Sequence, residues 1–368
     1  MLKTLYRRAC RFVPAPSLWI FLAAVPAAAV HVLAAVFVPF ADFFNGTVAA
    51  VFRAVLARLT NPIPFSLAEM LIFLSPVLFV VLLIACIRAA RSGWRRAMRY
   101  VLGVLSVAAL IYTLFVFTFA AGYHATSLDQ KLGLADEPVS AEQLERTAQI
   151  LARRAEETLD EITFLHGGAS VMPYTYDELS QKLMEAYDRV TEEYPFMQKL
   201  DSRVKPLAVS PVMTYTHISG VYTMFTGEAN LNINYPDYVI AYTAAHELAH
   251  QRGIARENEA NFVAFLVCTA SEDPYIRYSG YLNMYEYVSS ALYSASRDRY
   301  KAVAQSLDVR LRYEMLAYNE FFKPYRKTVV SEVSDAVNNT YLVLQGTEGT
   351  KSYGMVVDLA VSYLAEEN

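Results

Sequence analysis

Apolar residues in the first third of the chain come in solid blocks. Residues 17–40, 70–87 and 100–123 each run without a formal charge. Each block is long enough for the ~20 residues that cross a hydrocarbon core, and a helix satisfies its own backbone there. The blocks predict three spanning helices, at about 17–40, 66–88 and 100–122. The first is too long for a cleaved signal peptide, contains Pro26 and is followed by two more blocks.

Past residue 123 the blocks give way to stripes. Leu144, Ala148, Leu151, Ala155 and Leu159 recur at helical spacing behind Ser140 and Gln143, a capping-box pair, and Thr175 with Glu178 repeats the device. From Val204 the texture turns to prolines, glycines and short β-prone runs, with "GVYTMF" and "ANLNIN" reading as a hairpin. A helix starts at Pro236 and Asp237, runs through "YVIAYTAAHELAHQR" and stops at Gly253. A second runs through "ENEANFVAFLVCTA", and tyrosine-rich helices follow over roughly 275–295 and 297–322. The expected architecture is mainly α: a membrane domain over 1–123 with three transmembrane helices, then a mostly helical domain over 124–368 with a small β-hairpin or sheet.

Charge orients this layout. Residues 1–120 carry 11 Lys and Arg against 2 Asp and Glu, whereas the remainder carries 21 against 34. Lys3, Arg7, Arg8 and Arg11 precede the first block, and Arg88, Arg91, Arg95, Arg96 and Arg99 separate the second and third. Residues 41–69 hold just Arg53 and Arg58. The positive-inside rule places the N-terminus in the cytosol and the C-terminal domain outside the cytoplasm of a multi-pass cell-membrane protein. An acidic back half argues against nucleic acid as a partner. Cys10, Cys86 and Cys268 leave one cysteine for the outer domain, so no disulfide closes within it. The spans carry Asp42 and Glu69 near their ends and show no polar transport pathway.

The chemistry concentrates in "AYTAAHELAHQRGIARENEANFVAF", residues 241–265. A spacing of four puts His246 and His250 on one helix face, where two imidazoles can reach one ion at about 2.0–2.1 Å. Glu247, adjacent to the first, can touch an ion-bound water without binding the ion. A catalytic site needs a third protein ligand. Gly253 can reverse the chain and bring back Glu257, with Glu259 as the alternative ligand and His217 a weaker one. Asn261, four residues past Glu257, is placed to orient a ligand histidine through its second nitrogen. The bland reading is a buried helix whose histidines are satisfied by hydrogen bonds; the glycine stop and the following carboxylates weigh against it.

"HELAH" followed by "ENEAN" resembles the gluzincin metallopeptidases, in which the first Glu of the second motif is the third ligand. Two departures stand out: Asn261 sits where many members have Asp, and Glu257 is just seven residues past His250. A metzincin third ligand would fall on Arg256, which cannot bind a cation. The layout as a whole is similar to a bacterial membrane family known as domain of unknown function 3810. The similarity rests on the three spans, "FTGEANLN", "HELAHQRGIARENEANF" and "YSGYL". It implies a zincin-like extracytoplasmic domain with one Zn2+ ion, hydrolysing a peptide or protein substrate with a zinc-bound water activated by Glu247. The alternative is a non-catalytic zinc-binding ectodomain acting as a sensor or envelope assembly factor. "GVYTMFTGEANLNIN" is the candidate edge for an extended substrate. Tyr278, Tyr281 and His217 are candidate donors to a developing oxyanion. An intramembrane protease fits poorly, because no uncharged run surrounds the motif.

Overall fold

A computed structural model of the chain describes residue 6 and residues 9–134, 138–166, 168–326, 328–349, 351 and 355–366. Lys3, Arg7 and Arg8, part of the N-terminal charge, lie outside these. The described chain is mainly helical, with one three-stranded sheet.

Four N-terminal helices, one more than expected, are long and apolar enough to cross a membrane: Ala15–Val36, Val38–Thr60, Leu67–Arg91 and Trp94–Thr118. They mark a membrane-associated protein. The extra one occupies the stretch read from sequence as a loop over 41–69. It joins Val38–Phe43, a π-helical stretch Phe44–Ala49 and Ala50–Thr60. Asn45, Arg53 and Arg58 interrupt its apolar run and hid it from a search for uncharged blocks.

The other three form a bundle. Ala15–Val36 and Trp94–Thr118 run in the same direction: Ser106 Oγ donates to Ser17 Oγ at 2.9 Å, and further along Tyr112 Oη lies 3.0 Å from His31 Nδ1. Leu67–Arg91 runs the opposite way, since its far end turns at Gly93 into the start of Trp94–Thr118 and Tyr100 donates to the Leu82 carbonyl at 2.7 Å. Large apolar side chains such as Ile72, Phe73 and Phe79 stay exposed on its outer surface, as a hydrocarbon environment permits.

Val38–Thr60 behaves differently. Thr126 N donates to Asp42 Oδ1 at 2.9 Å, Gln198 Nε2 to the Ala50 carbonyl at 2.9 Å and Lys205 Nζ to the Thr60 carbonyl at 3.0 Å. The segment is therefore laid along the helical domain. It starts where Ala15–Val36 ends and finishes where Leu67–Arg91 begins. That second end is also tied to the domain: Leu67 N and Ala68 N donate to the Glu228 carboxylate at 3.0 and 3.1 Å, and Val209 N donates to Glu69 Oε1 at 2.8 Å. All three bundle helices thus meet the domain at one end.

In the domain one hydrophobic core runs from Leu128 to Leu364. Both expected capping boxes form, at Ser140 with Gln143 and at Thr175 with Glu178. The stretch expected as one helix over 297–322 is two, Arg297–Ser306 and Val309–Phe322. Asp308 separates them by accepting from Arg310 N at 2.7 Å, an N-cap that restarts the helix. Strands β1 (Val204–Pro206), β2 (Gly220–Thr223) and β3 (Glu228–Leu231) lie in the order β1-β3-β2. β2 and β3 form the expected antiparallel hairpin with Gly220 opposite Leu231, and β1 adds a parallel partner with Val204 opposite Ala229. β2 is an edge.

The motif helix, Asp237–Gln251, lies at the centre, with every residue from Tyr238 to Gln251 buried. It packs on β2, β3, Glu257–Thr269 and Pro274–Ala295. Ala241, Ala244, Ala245 and Ala249, all 0% exposed, let those neighbours come close.

In a variant with Cys10, Cys86 and Cys268 replaced by alanine, an impermeant thiol reagent on sealed vesicles should modify Gly46→Cys and Glu161→Cys from one face, and Ser92→Cys from the other. Labelling of Gly46→Cys and Glu161→Cys from opposite faces would show instead that Val38–Thr60 crosses the membrane.

Candidate metal centre

The site begins with how the motif helix ends. Gly253 has φ +92°, the left-handed conformation that closes a helix at low cost in glycine. Gly253 N donates to the His250 carbonyl at 2.9 Å and Ile254 N to the Ala249 carbonyl at 3.2 Å. The chain then reverses into Glu257–Thr269, putting Glu257 in the first turn of that helix. His246 and His250, one turn apart, have ring centroids 4.6 Å apart and nearly perpendicular planes.

Their Nε2 atoms lie 3.3 and 3.4 Å from Glu257 Oε2. Among the described residues, this is a group whose three ligand atoms all lie within 4.8 Å of one another. His250 Nδ1 sits 2.7 Å from the Ile254 carbonyl. A carbonyl only accepts, so Nδ1 carries the proton and the Nε2 lone pair faces the carboxylate. Lone pairs facing a carboxylate repel unless a cation lies among them. In the bare site that cation is a proton. Burial pulls the His250 imidazole down, but the Glu257 charge and hydrogen bond outweigh it and lift it to about 9. Burial pushes the Glu257 carboxyl up, and His250 and His246 together hold it well below the usual range.

Glu247 lies beside this cluster under β2. Burial raises its carboxyl above the usual value, opposed by His246 and His250, while the Tyr222 backbone amide favours its charged form. Its Oε2 and His246 Nδ1 are buried without a hydrogen-bond partner. Gly220 makes the close approach possible: a Cβ there would lie 2.6 Å from Glu247 Oε1.

The other expected site residues fall elsewhere or act otherwise. Glu259 turns away from the histidines, with Oε1 accepting from Leu128 N at 2.9 Å and Arg256 Nη1 at 2.7 Å. Asn261 borders the cluster but orients neither histidine: His250 uses the Ile254 carbonyl, and Asn261 Nδ2 is itself buried without a partner. What Asn261 does contribute is its carbonyl, which accepts from Tyr242 Oη at 2.6 Å. His217 borders the cavity but is held 2.8 Å from the Tyr325 carbonyl through Nε2. Tyr278 donates to Glu314 at 2.9 Å in the core, and neither it nor Tyr281 lines the cavity. The tyrosines that do are Tyr123, Tyr222, Tyr235, Tyr242, Tyr287, Tyr318 and Tyr341. Burial and the Glu257 charge both raise the hydroxyls of Tyr287 and Tyr341, two of the cavity-lining residues. With 26 tyrosines in the chain, no local signal singles them out.

A cavity of about 1180 Å³ opens over the cluster. Val329–Leu344 forms its outer wall, and Phe119, the residue after the last apolar helix, reaches its floor with its ring 5.8 Å from that of His250. Among the described lining residues there is no Lys or Arg.

A brace behind the site was invisible in the sequence. Arg53, 1% exposed, donates to the Asn45 carbonyl at 2.8 Å, the Asn45 side chain at 2.9 Å and the Thr118 carbonyl at 3.0 Å. Asn45 Nδ2 in turn donates to the Gly253 carbonyl at 3.0 Å. The turn that delivers Glu257 is therefore pinned from the Val38–Thr60 segment.

A family profile, described as protein of unknown function (DUF3810), matches residues 44–361. The chain belongs to that family. The DUF3810 match begins at Phe44, within the segment that braces Gly253, and takes in the whole cluster. No curated protein and no solved structure matches the chain.

Glu286, on the cavity wall, gives a pH signature. Burial pushes its carboxyl up to about 7, against the hydrogen bond from Tyr238 Oη and with help from the Glu314 charge. A carboxyl raised in the folded state contributes stability that is whole below its ordinary value of ~4.3 and is lost as pH rises through about 7. Glu286→Gln should therefore raise the melting temperature of the detergent-solubilised protein at about pH 8 and have little effect near about pH 4. Parallel stability profiles for variant and parent would contradict this.

Proposed function

We propose that the protein is a membrane-anchored, zinc-dependent peptide hydrolase with a gluzincin-like site. One observation carries the reading: two imidazole nitrogens and a carboxylate oxygen converge with spacings of 3.3 and 3.4 Å. Ligands at 2.0–2.1 Å in a tetrahedron lie about 3.3 Å apart, which both spacings to Glu257 match, and all three ligand atoms lie within 4.8 Å of one another. When bound, the ion supplies Lewis acidity to a water and to the substrate carbonyl.

The chain's residues supply the rest. Glu247, with its unpartnered Oε2 beside the cluster, takes a proton from water and returns it to the departing amine. Burial raises its affinity for that proton, which suits a group that must accept and release it. The Tyr287 and Tyr341 hydroxyls, kept protonated by burial and the Glu257 charge, are donors for the carbonyl oxygen as it gains charge. The consecutive residues Gly220, Val221 and Tyr222 all border the cavity. Strand side chains alternate between faces, so it is the edge of β2 that borders it, ready to pair with an extended substrate. The charge asymmetry puts the N-terminus in the cytosol and this site outside the cytoplasm.

A purely metal-binding sensor or assembly factor has no use for a buried carboxylate with one unpartnered oxygen beside the ligands, which favours the hydrolase. The full-length protein should bind one zinc. His246→Ala and Glu257→Gln should lose the ion, whereas Glu259→Gln should keep it. Glu247→Gln should keep the metal and lower peptide hydrolysis by at least about a hundredfold. Stoichiometric zinc with turnover unaffected by Glu247→Gln would refute the catalytic role.

A further inference from the structure

The site's position narrows its substrate. Thr118 ends the last apolar helix, and the very next side chain, Phe119, packs edge-on against His250 with ring centroids 5.8 Å apart. Tyr123, one helical turn further on, lines the same cavity. The ligand cluster is therefore separated from the end of a candidate span by the width of a single aromatic ring. With the end of that candidate span as the membrane boundary, anything cleaved here must come down to it.

The wall facing the cluster has its own chemistry. Val330, Val333 and Val337 lie on the cavity side of Val329–Leu344 and remain 51%, 58% and 65% exposed. Only Ser331 and Leu342 are buried on that helix. Across the gap, Val221 of the edge strand β2 is 42% exposed. An aliphatic slot of this kind gains by covering its valines with other apolar side chains, at about 25 cal/mol per Å². Its charged lining is acidic, including Glu286 and Asp335, with no Lys or Arg among the described residues. Apart from the proposed ion, phosphate-bearing lipid head groups and acidic peptides meet no cationic side chain there.

We propose that the substrate is the aliphatic, extended juxtamembrane stretch of a membrane-anchored polypeptide, drawn between β2 and the valines of Val329–Leu344. This rests on the hydrolytic reading above and adds where the substrate is held and what its side chains are. The pairing edge of β2 favours a polypeptide over a lipid acyl chain, which has no backbone donors or acceptors to offer.

The test uses full-length, zinc-loaded protein in phosphatidylcholine vesicles. One quenched fluorescent peptide of valines, leucines and alanines is attached to a transmembrane anchor through polar spacers of about 5 and about 40 residues. A second probe replaces its aliphatic residues with glutamates, and a third is a long-chain fatty-acid amide. Cleavage of the short-spacer aliphatic probe should exceed that of the long-spacer probe by about tenfold or more, with the glutamate probe and the lipid amide intact. Val333→Asp should raise KM for the aliphatic probe while zinc content stays at the parent value. Equal rates at both spacers, or faster cleavage at the longer one, would overturn the placement while leaving the hydrolase reading intact. Hydrolysis of the lipid amide with peptides untouched would overturn the substrate class. If no probe is cleaved and parent matches Glu247→Gln, the hydrolase reading fails and takes this inference with it. A photo-crosslinkable aliphatic probe on Glu247→Gln supplies a readout free of turnover: label should map to β2 or Val329–Leu344, and label elsewhere would contradict the proposed path.

Discussion

Three electron-rich atoms facing one point are the constraint on which the rest of the structure depends. Two imidazole nitrogens and a carboxylate oxygen within 4.8 Å of one another repel unless something positive lies among them. A proton between His250 and Glu257 answers that in part, and under the proposed reading a divalent ion would answer it with all three atoms used. The fold around the point is arranged to keep them aimed there. The His250 ring is set by the Ile254 carbonyl, and the Glu257 position is set by the reversal at Gly253.

That reversal depends on the membrane half of the chain. Arg53 is buried against carbonyls from the end of the last apolar helix and from the π-helical stretch, and Asn45 holds the Gly253 carbonyl. A Cβ at Gly253 would collide with the Arg53 guanidinium. Lys205 and Glu228, whose side chains are 2% and 0% exposed, form a second tie, with Glu228 also capping the start of Leu67–Arg91. Separating the helical domain from residues 1–123 would take Asn45 from the Gly253 carbonyl and the Leu67 and Ala68 amides from the Glu228 carboxylate. The anchor is thus part of the site's framework as well as its address.

Much of this was legible because it is local. The helix bearing His246 and His250, its glycine stop, both capping boxes and the β2–β3 hairpin follow from spacing within a few residues. Glu257 is favoured over Glu259 in the sequence because it shares a helix face with Asn261, and the structure brings Glu257 and not Glu259 to the histidines. What stayed hidden depends on contacts distant in sequence. Arg53 looked like a loop charge because, Asn45 apart, its partners lie 65 to 199 residues away. Tyr287 and Tyr341 are indistinguishable by pattern from other tyrosines. The role expected for Asn261 failed because a backbone carbonyl, which carries no sequence signature, already served His250. The break at Asp308 was missed because one side-chain cap outweighs an otherwise continuous helical stripe.

The most direct measurement of the central claim is X-ray absorption at the zinc edge on metal-loaded, full-length protein. The account predicts one ion with a first shell of nitrogen and oxygen at about 2.0–2.1 Å, the scattering signature of two imidazoles, and loss of both with His246→Ala. A shell containing sulfur, a spectrum with no imidazole signature, or one unchanged in that variant would contradict it.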